Sequence, residues 1–223
     1  MRELKRKTEC GKINVIENHN HLRKGIIMPA EVLSYFLKHG DVRLKLRFQI
    51  VLKCAPFLKG LKVSCGITME SAAYCELHHI FRNTGIIYRK LLESDGRCLV
   101  LFYRREELGE YMNRIGVRSF IRRYGYEDMG LDEMLARLTD RACLFAERGI
   151  GFPHEIGIFL GYPVKDVEGF IENAGRGALL TGYWKVYTNP REAKMIFNEY
   201  DQAKTCAVNE FLTGRGIDEI ARK

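Results

Sequence analysis

The residues best suited to chemistry in this chain are His154 and Glu155, which stand together in the stretch GFPHEIGIFLGYP (151–163). They follow Pro153, a residue type favoured in the first turn of a helix. The helix dipole stabilises a carboxylate there, and it lowers the pKa of a histidine, which favours the neutral base. The pair could therefore perform acid/base chemistry or orient a ligand. A capped helix end whose histidine bonds to backbone explains the same pattern.

The same stretch has two further interpretations. Together with the segment that follows, it has the outline of a helix-turn-helix. The second helix would carry three carboxylates against one lysine, however, and these would repel DNA phosphates. His154 could instead serve Cys54 in a hydrolase triad with Asp166 as the orienting acid. Cys54 lacks the helix-start or glycine-rich setting that lowers a thiol pKa, so the triad is the weaker hypothesis.

A second stretch, GYWKVY (182–187), combines a lysine with aromatic residues. Read as a strand, it places Trp184 on one face and Tyr183, Lys185 and Tyr187 on the other. A lysine between two tyrosines can meet a planar or anionic ligand through charge and stacking. Aromatic residues that pack a sheet onto a helix give the same pattern.

The cysteines and histidines do not have the spacing of a metal site. Cys75 and His78 are three residues apart in a predicted helix, but no CxxC pair or matched Cys/His knuckle accompanies them. The chain also lacks a Walker motif and a GxGxxG after a strand. We therefore predict no metal site, and the sequence indicates no particular cofactor.

Composition indicates a soluble globular protein with a basic surface. Of the 223 residues, 46% are hydrophobic and 29% charged, enough to bury a real core. The net charge of +8 favours an anionic partner such as a nucleotide, a cofactor or nucleic acid. Seven scattered cysteines are an odd number and suggest thiols in a reducing compartment. No apolar run approaches the roughly 18 residues of a membrane span, and the charged start lacks a signal-peptide core. We expect a cytoplasmic protein with no membrane partner.

Periodicity and turn signals give the order of the elements. Asp95-Gly96 between two apolar runs predicts a β-hairpin, and Asn189-Pro190-Arg191-Glu192 predicts the capped start of a long helix. The stretch 42–54 fits either a strand or a helix, and we favour the helix. The predicted helices cover 29–39, 42–54, 69–85, 104–116, 131–149, 163–175 and 190–212; the predicted strands cover 61–68, 86–92, 97–103 and 182–187.

These elements predict an α+β fold, a helix-rich single domain around a small, mostly antiparallel sheet. We expect this domain to cover residues 26–213. Residues 1–25 are basic and predicted to be a partly disordered arm, which could meet nucleic acid. Residues 214–223 are predicted to be a C-terminal tail.

Read together, the motifs resemble the bacterial family named domain of unknown function 3793. The resemblance covers about residues 30–206, through CAPFLKGLK (54–62), LVLFYRREEL (99–108), GFPHEIGIFLGYPVKDVEGFIEN (151–173) and GYWKVYTNPREAKMIFNEYDQAKTC (182–206). It implies a cytosolic protein of an anaerobic bacterium, and it carries no catalytic role with it. The segment VSCGITM is less typical of the family, and the basic arm and the tail after 206 look peculiar to this chain.

The four blocks locate a candidate site. Beside glycine, proline and apolar residues they hold cations, a His/Glu pair and aromatic rings, which suit a pocket for an anionic, planar small molecule. The expected catalytic residues are His154 and Glu155; the expected ligand-binding residues are Lys62, Tyr103, Arg104, Tyr162, Trp184, Lys185 and Tyr187. The function expected is binding of an anionic small molecule or cofactor, and whether the protein is an enzyme stays open. The alternative is a non-enzymatic interaction or regulatory protein whose basic surface meets nucleic acid or an acidic partner.

Overall fold

The computed structural model describes residues 30–149 and 151–221, which form the predicted α+β fold. The expected basic arm (1–25) lies outside the described residues. The α-helices are α1 Ala30–Lys38, α2 Val42–Leu58, α3 Leu77–Ile80, α4 Arg105–Met112, α5 Ile115–Arg122, α6 Leu131–Arg148, α7 Ile156–Phe159, α8 Val164–Glu172, α9 Pro190–Leu212 and α10 Ile217–Ile220. The strands are β1 Ser64–Glu70, β2 Ile87–Ser94, β3 Arg97–Tyr103, β4 Leu180–Thr181 and β5 Lys185–Val186. Over the described ranges, no helix is both long and apolar enough to cross a membrane.

The larger sheet is antiparallel, with strand order β1-β3-β2. Its β2–β3 hairpin turns at Asp95 and Gly96, as predicted. Both residues have positive φ, 52° and 70°, which is the backbone of a tight two-residue hairpin turn. The central strand β3 is buried along nearly its whole length, so each of its faces has to be covered by helices.

Each face of this sheet supports a separate hydrophobic core. Alternate residues of β3 point to opposite faces: Val100 and Phe102 pack with α2, the end of α9 and α10, while Leu99 and Leu101 pack with the helices α4–α8. The sheet is thus the middle layer of a three-layer arrangement. The segment 42–54 is helical, as favoured, because α2 buries its long apolar face in the first core.

The second sheet is the short hairpin β4–β5, which packs against the first half of α9. Its buried residues Trp184 and Val186 form a third apolar cluster with Ala193, Phe197 and Tyr200. The helix begins at the predicted cap, where the Asn189 side chain accepts a hydrogen bond from the backbone N–H of Glu192.

Two predicted elements need correction, one helix was not predicted, and part of the C-terminal segment is helical. The predicted helix 69–85 is mostly not α-helical: β1 continues to Glu70 because Met69 extends its buried face, and a 3-10 turn (Ser71–Glu76) precedes the short α3. Helix α5 (Ile115–Arg122) was not predicted. The strand 182–187 narrows to Lys185–Val186, which pairs with Leu180–Thr181. Within the expected C-terminal tail, α10 is buried in the first core, whereas the overall division into arm, domain and tail stays a prediction.

Candidate functional site

Glu155, one of the two expected catalytic residues, is engaged by protein groups. Its side chain is fully buried and forms an ion pair with Arg141 of α6, whose Nε donates to Oε1 and whose Nη2 lies 3.4 Å from Oε2. The Tyr126 hydroxyl donates to Oε1 over 3.0 Å. These bonds hold the turn before α7 against α6, so Glu155 has a structural role.

The His154 ring lies among aromatic side chains. Its half-buried ring lies 5.1 Å from the ring of Phe152 and 5.5 Å from that of Phe170. Burial lowers the pKa of His154, and the nearby Glu155 charge opposes that effect. The imidazole is therefore favoured in its neutral form, as expected from the sequence, but burial is the leading cause.

Lys185 approaches the same aromatic residue. Its Nζ lies 5.6 Å from the centroid of Phe170 and donates to the carbonyl oxygen of Gly175 over 2.6 Å. His154 and Lys185 therefore both contact Phe170, whereas Glu155 pairs with Arg141.

Asp166 is the centre of the contacts that hold the β4–β5 hairpin. The side chain is buried, and its Oδ2 accepts a hydrogen bond of 2.7 Å from Trp184 Nε1. Its Oδ1 accepts from the backbone N–H groups of Tyr187 and Thr188, at 2.8 and 2.9 Å, and from the Thr188 hydroxyl. The Tyr187 side chain packs on Gly169, where an added Cβ would meet it at 2.5 Å. The aromatic residues of this motif are thus positioned by a carboxylate that the sequence analysis considered only as a triad member and as a charge that would repel DNA.

Arg104 and Tyr103 also have structural surroundings. The Arg104 guanidinium donates to the carbonyl oxygens of Phe57 and Ala221 and lies 4.9 Å from the Phe57 ring. This arginine joins the ends of α2 and α10. Tyr103 is buried in the second core, where burial raises the pKa of its hydroxyl.

Lys62 lies in the connection between α2 and β1, which packs against the turn between α7 and α8. Gly161 has a φ of 73°, and a Cβ there would meet Val63 at 3.0 Å. The Tyr200 hydroxyl reaches the Leu61 carbonyl oxygen over 3.5 Å. This close approach places the Lys62 ammonium 5.0 Å from the centroid of the Tyr162 ring.

The electrostatic setting of Lys62 differs from that of its neighbour Lys59. Lys59 forms an ion pair with Glu210 over 2.6 Å. The Lys62 side chain has no carboxylate partner among residues 30–149 and 151–221, although the residue is only partly exposed. Burial lowers its pKa, and the thiols of Cys65 and Cys54 oppose that effect. A desolvated lysine of this kind is a group that can bind an anion or act as a nucleophilic amine.

The motif blocks of the sequence meet at this lysine. Tyr162, beneath the Lys62 ammonium, stacks on Trp184 with ring centroids 5.7 Å apart and an angle of 29° between the planes. Lys62, Tyr162 and Trp184 come from the first, third and fourth blocks. The structure therefore brings three of the nine expected site residues into one contact chain, and His154 and Lys185 into another around Phe170.

Two residues near this site were not predicted from the sequence. Cys65 of β1 belongs to no recognisable motif, yet its thiol opposes the lowering of the Lys62 pKa by burial. Lys204 is buried on α9 one turn after Tyr200, and burial lowers its pKa while Asp201 opposes that effect. The position of Lys204 inside a helix with an apolar face was the only available signal, since buried lysines are rare.

The proposed Cys54–His154 triad does not match the contacts of its members. Cys54 lies in the first core beside Cys65, His154 contacts Phe152 and Phe170, and Asp166 is occupied by the hairpin. No group of three or more histidine, cysteine or carboxylate side chains within the described residues could hold a metal ion.

The comparisons with known proteins identify a family. No curated protein and no solved structure matches the chain. A family model described as "Protein of unknown function (DUF3793)" matches residues 50–221, more than half of the chain. The match starts later than expected and continues past residue 206, so the segment carrying α10 is not peculiar to this chain. The chain therefore belongs to the DUF3793 family.

Proposed function

We propose that this protein binds a small anionic molecule at Lys62, with Tyr162 beneath the ammonium and Trp184 supporting the tyrosine. The observation that carries the proposal is the desolvated Lys62 ammonium, which lacks a carboxylate partner within the described residues and lies where three motif blocks meet. Lys62 is partly buried, and a partly buried charge without a counter-ion is unfavourable for folding, so a bound anion would relieve that penalty. A cytoplasmic location is part of the proposal and rests on the composition and the scattered cysteines.

The remaining expected residues divide into two groups. His154 and Lys185, around Phe170, could extend the site for a larger planar ligand, with His154 as a neutral base. Glu155 and Arg104 already have protein partners, so their part in binding would be to position the elements that carry the site. The proposal covers a binding protein and an enzyme alike, because the lysine could hold an anion or react with a carbonyl group.

The test uses pyridoxal 5′-phosphate as a chemical probe, since it is planar, anionic and carries an aldehyde. A neutral lysine amine condenses with the aldehyde to an imine, releasing water, and borohydride reduction makes the adduct permanent. We expect saturable labelling of the full chain at Lys62 in peptide mapping. Inorganic phosphate in excess should compete with it.

Matched variants decide the outcome. Lys62→Met should remove the saturable label, and Lys59→Met, which alters an ion-paired lysine three residues away, should retain it. Labelling spread over many lysines, with no saturation and no preference for Lys62, would refute the proposal. If the label is specific for Lys62, native mass spectrometry of protein purified without oxygen identifies the natural ligand. It would be an anion that the wild type retains and Lys62→Met loses.

A further inference from the structure

A groove runs along the edge of β1, between this strand and helix α2. In the sheet order β1-β3-β2, strand β1 has a neighbouring strand on one side only, within the residues that the structure describes. The groove is lined by three consecutive residues of the strand, Thr68, Met69 and Glu70. Consecutive side chains of a strand point to opposite faces of the sheet. A groove that meets all three residues therefore meets the backbone edge of the strand.

Helix α2 forms the opposite wall of this groove. The residues that it contributes recur with helical periodicity, so they lie along one face of the helix over about 16 Å. These residues are Val42, Lys45, Leu46, Gln49 and Lys53. An extended chain covers the same length in about five residues. The groove therefore has the length of one short strand.

The two edges of the larger sheet differ in their protection against pairing with another chain. Strand β2 has an irregular register between Lys90 and Leu92, and it carries three charged side chains. Strand β1 (SCGITME) pairs with β3 in continuous register, contains no proline and carries only the charge of Glu70. Bulges, prolines and charges are the features that keep an edge strand from pairing. Strand β1 is thus the edge that is suited to accept an additional strand.

The charge of the groove selects one class of partner. Lys45, Lys53 and Arg97 line it, against the single carboxylate of Glu70, which lies 3.0 Å from the Lys45 ammonium. A second copy of this chain would bring the same cations to the edge, and residues 1–25 of the chain are basic as well. Like charges that face each other across an interface are unfavourable, whereas carboxylates would be complementary to this groove.

We propose that the groove between β1 and α2 binds an extended acidic peptide segment of another protein, which joins the sheet as an additional edge strand. The peptide backbone would bond to the edge of β1, and carboxylates at alternate positions would face the cationic wall of α2. In this mode of recognition, main-chain bonds supply affinity and side-chain contacts supply specificity. The proposal is independent of anion binding at Lys62, which precedes the first residue of β1, whereas the groove meets its last residues.

The experiment measures binding of a probe peptide to the full-length protein by fluorescence anisotropy. The probe is the heptapeptide Thr-Glu-Val-Glu-Val-Glu-Thr, with fluorescein at its first residue and an amide at its last. We expect saturable binding at low salt that weakens as the salt concentration rises. The matched peptide with lysine in place of each glutamate should bind about tenfold more weakly, since its charges repel those of the groove.

Backbone methylation of the probe separates strand pairing from attraction by charge. The N–H groups of alternate residues in a strand point to the same side, so N-methyl groups on the glutamates, or on the other residues, remove the donors of one side only. One of these two peptides should lose binding by about tenfold, and the other should keep it. Equal binding of the two methylated peptides would overturn the proposal, because a peptide held by charge alone does not need its backbone donors.

Matched variants locate the binding site on the protein. Gln49→Glu places a carboxylate in the middle of the α2 wall and should weaken binding of the acidic peptide by about tenfold. Gln202→Glu, the same change at an exposed position of α9, should bind the peptide as the wild type does. Wild-type affinity in Gln49→Glu would overturn the proposal, as would the absence of saturable binding to the wild type at low salt.

Sedimentation velocity of the wild type and of Gln49→Glu decides between a peptide and a second copy of the chain as the occupant of this edge. We expect the same sedimentation coefficient for both proteins over a range of concentrations. A dimer whose stability changes with this substitution would assign the edge to a second copy and overturn the proposal. None of these measurements involves Lys62, so the two proposals fail separately.

Discussion

At the scale of single residues, Lys62 is placed where folding alone would not favour a charge. A lysine whose folded pKa lies below its unfolded pKa leaves the unfolded chain with more bound protons between the two values. The contribution of this group to stability therefore rises with pH through that window, up to about 10.4. An apolar replacement of similar length removes this dependence.

We predict that Lys62→Met raises the free energy of unfolding at neutral pH by on the order of 1 kcal/mol. Urea denaturation at pH 7 and pH 10 measures it, and the gain over wild type should shrink at the higher pH. Lys59→Met is the control and should be neutral or slightly destabilising, since it breaks the ion pair with Glu210. A loss of stability in Lys62→Met would contradict the prediction and would mean that the contact of the ammonium with the Tyr162 ring outweighs the cost of its burial.

Glu155 represents the opposite case, a charge that the fold requires. Glu155→Gln leaves the Arg141 guanidinium without its carboxylate and changes the hydrogen bond with Tyr126. We predict a loss of about 2–4 kcal/mol in unfolding free energy, read from chemical denaturation. Glu168→Gln, which breaks the exposed pair with Arg123, should lose less than about 1 kcal/mol. Equal losses in both variants would contradict the buried role of Glu155.

His154 predicts a pH effect of known sign. Because burial lowers its folded pKa, the unfolded chain binds the proton first as pH falls below about 6.5, and the folded state loses stability there. We predict that His154→Gln reduces the drop in melting temperature between pH 7 and pH 5. A steeper drop in the variant would show that the protonated imidazole is the form that the fold favours.

At the scale of elements, Asp166 connects helix α8 to the β4–β5 hairpin. Asp166→Asn can keep one acceptor oxygen for the backbone N–H groups, but its amide NH₂ cannot accept from Trp184 Nε1. We predict a loss of about 1–3 kcal/mol and a red-shifted emission of Trp184 in the native state. Trp184 is the only tryptophan of the chain, so emission after selective excitation of tryptophan reports on this hairpin. Unchanged emission with lowered stability would place the effect elsewhere in α8.

At the scale of the whole molecule, the C-terminal segment belongs to the core. Ile220 has no exposed surface, and Arg104 bonds to the Ala221 carbonyl oxygen. We predict that Ile220→Ala destabilises the protein by about 2–5 kcal/mol. The matched control is Ile115→Ala, since that side chain is 90% exposed and its loss should change stability by less than about 0.5 kcal/mol. Thermal and urea denaturation of both variants measures these changes. Similarly small losses of stability in both variants would mean that the segment around Ile220 does not contribute to the core.

Local sequence signals predict several elements of the fold correctly. The hairpin at Asp95-Gly96, the start of α9 and the span of α6 were predictable, because turn backbone, caps and helical periodicity are local properties. The start of the stretch 69–85 was predicted incorrectly because Met69 and Glu70 pair with β3 as part of β1, and the 3-10 turn Ser71–Glu76 follows directly. That pairing is non-local, and no window of sequence contains both strands.

The sequence by itself determined the α+β class, the positions of the main turns and caps, and the residue types that meet at the candidate site. Only the tertiary structure decided which of them meet. Glu155 pairs with Arg141, Arg104 bonds to the Ala221 carbonyl oxygen, and the Lys62 ammonium lies over the Tyr162 ring. The physical reason is that partner choice for a buried charge depends on which helices the packing of the cores brings alongside it, and those helices lie far apart in the chain.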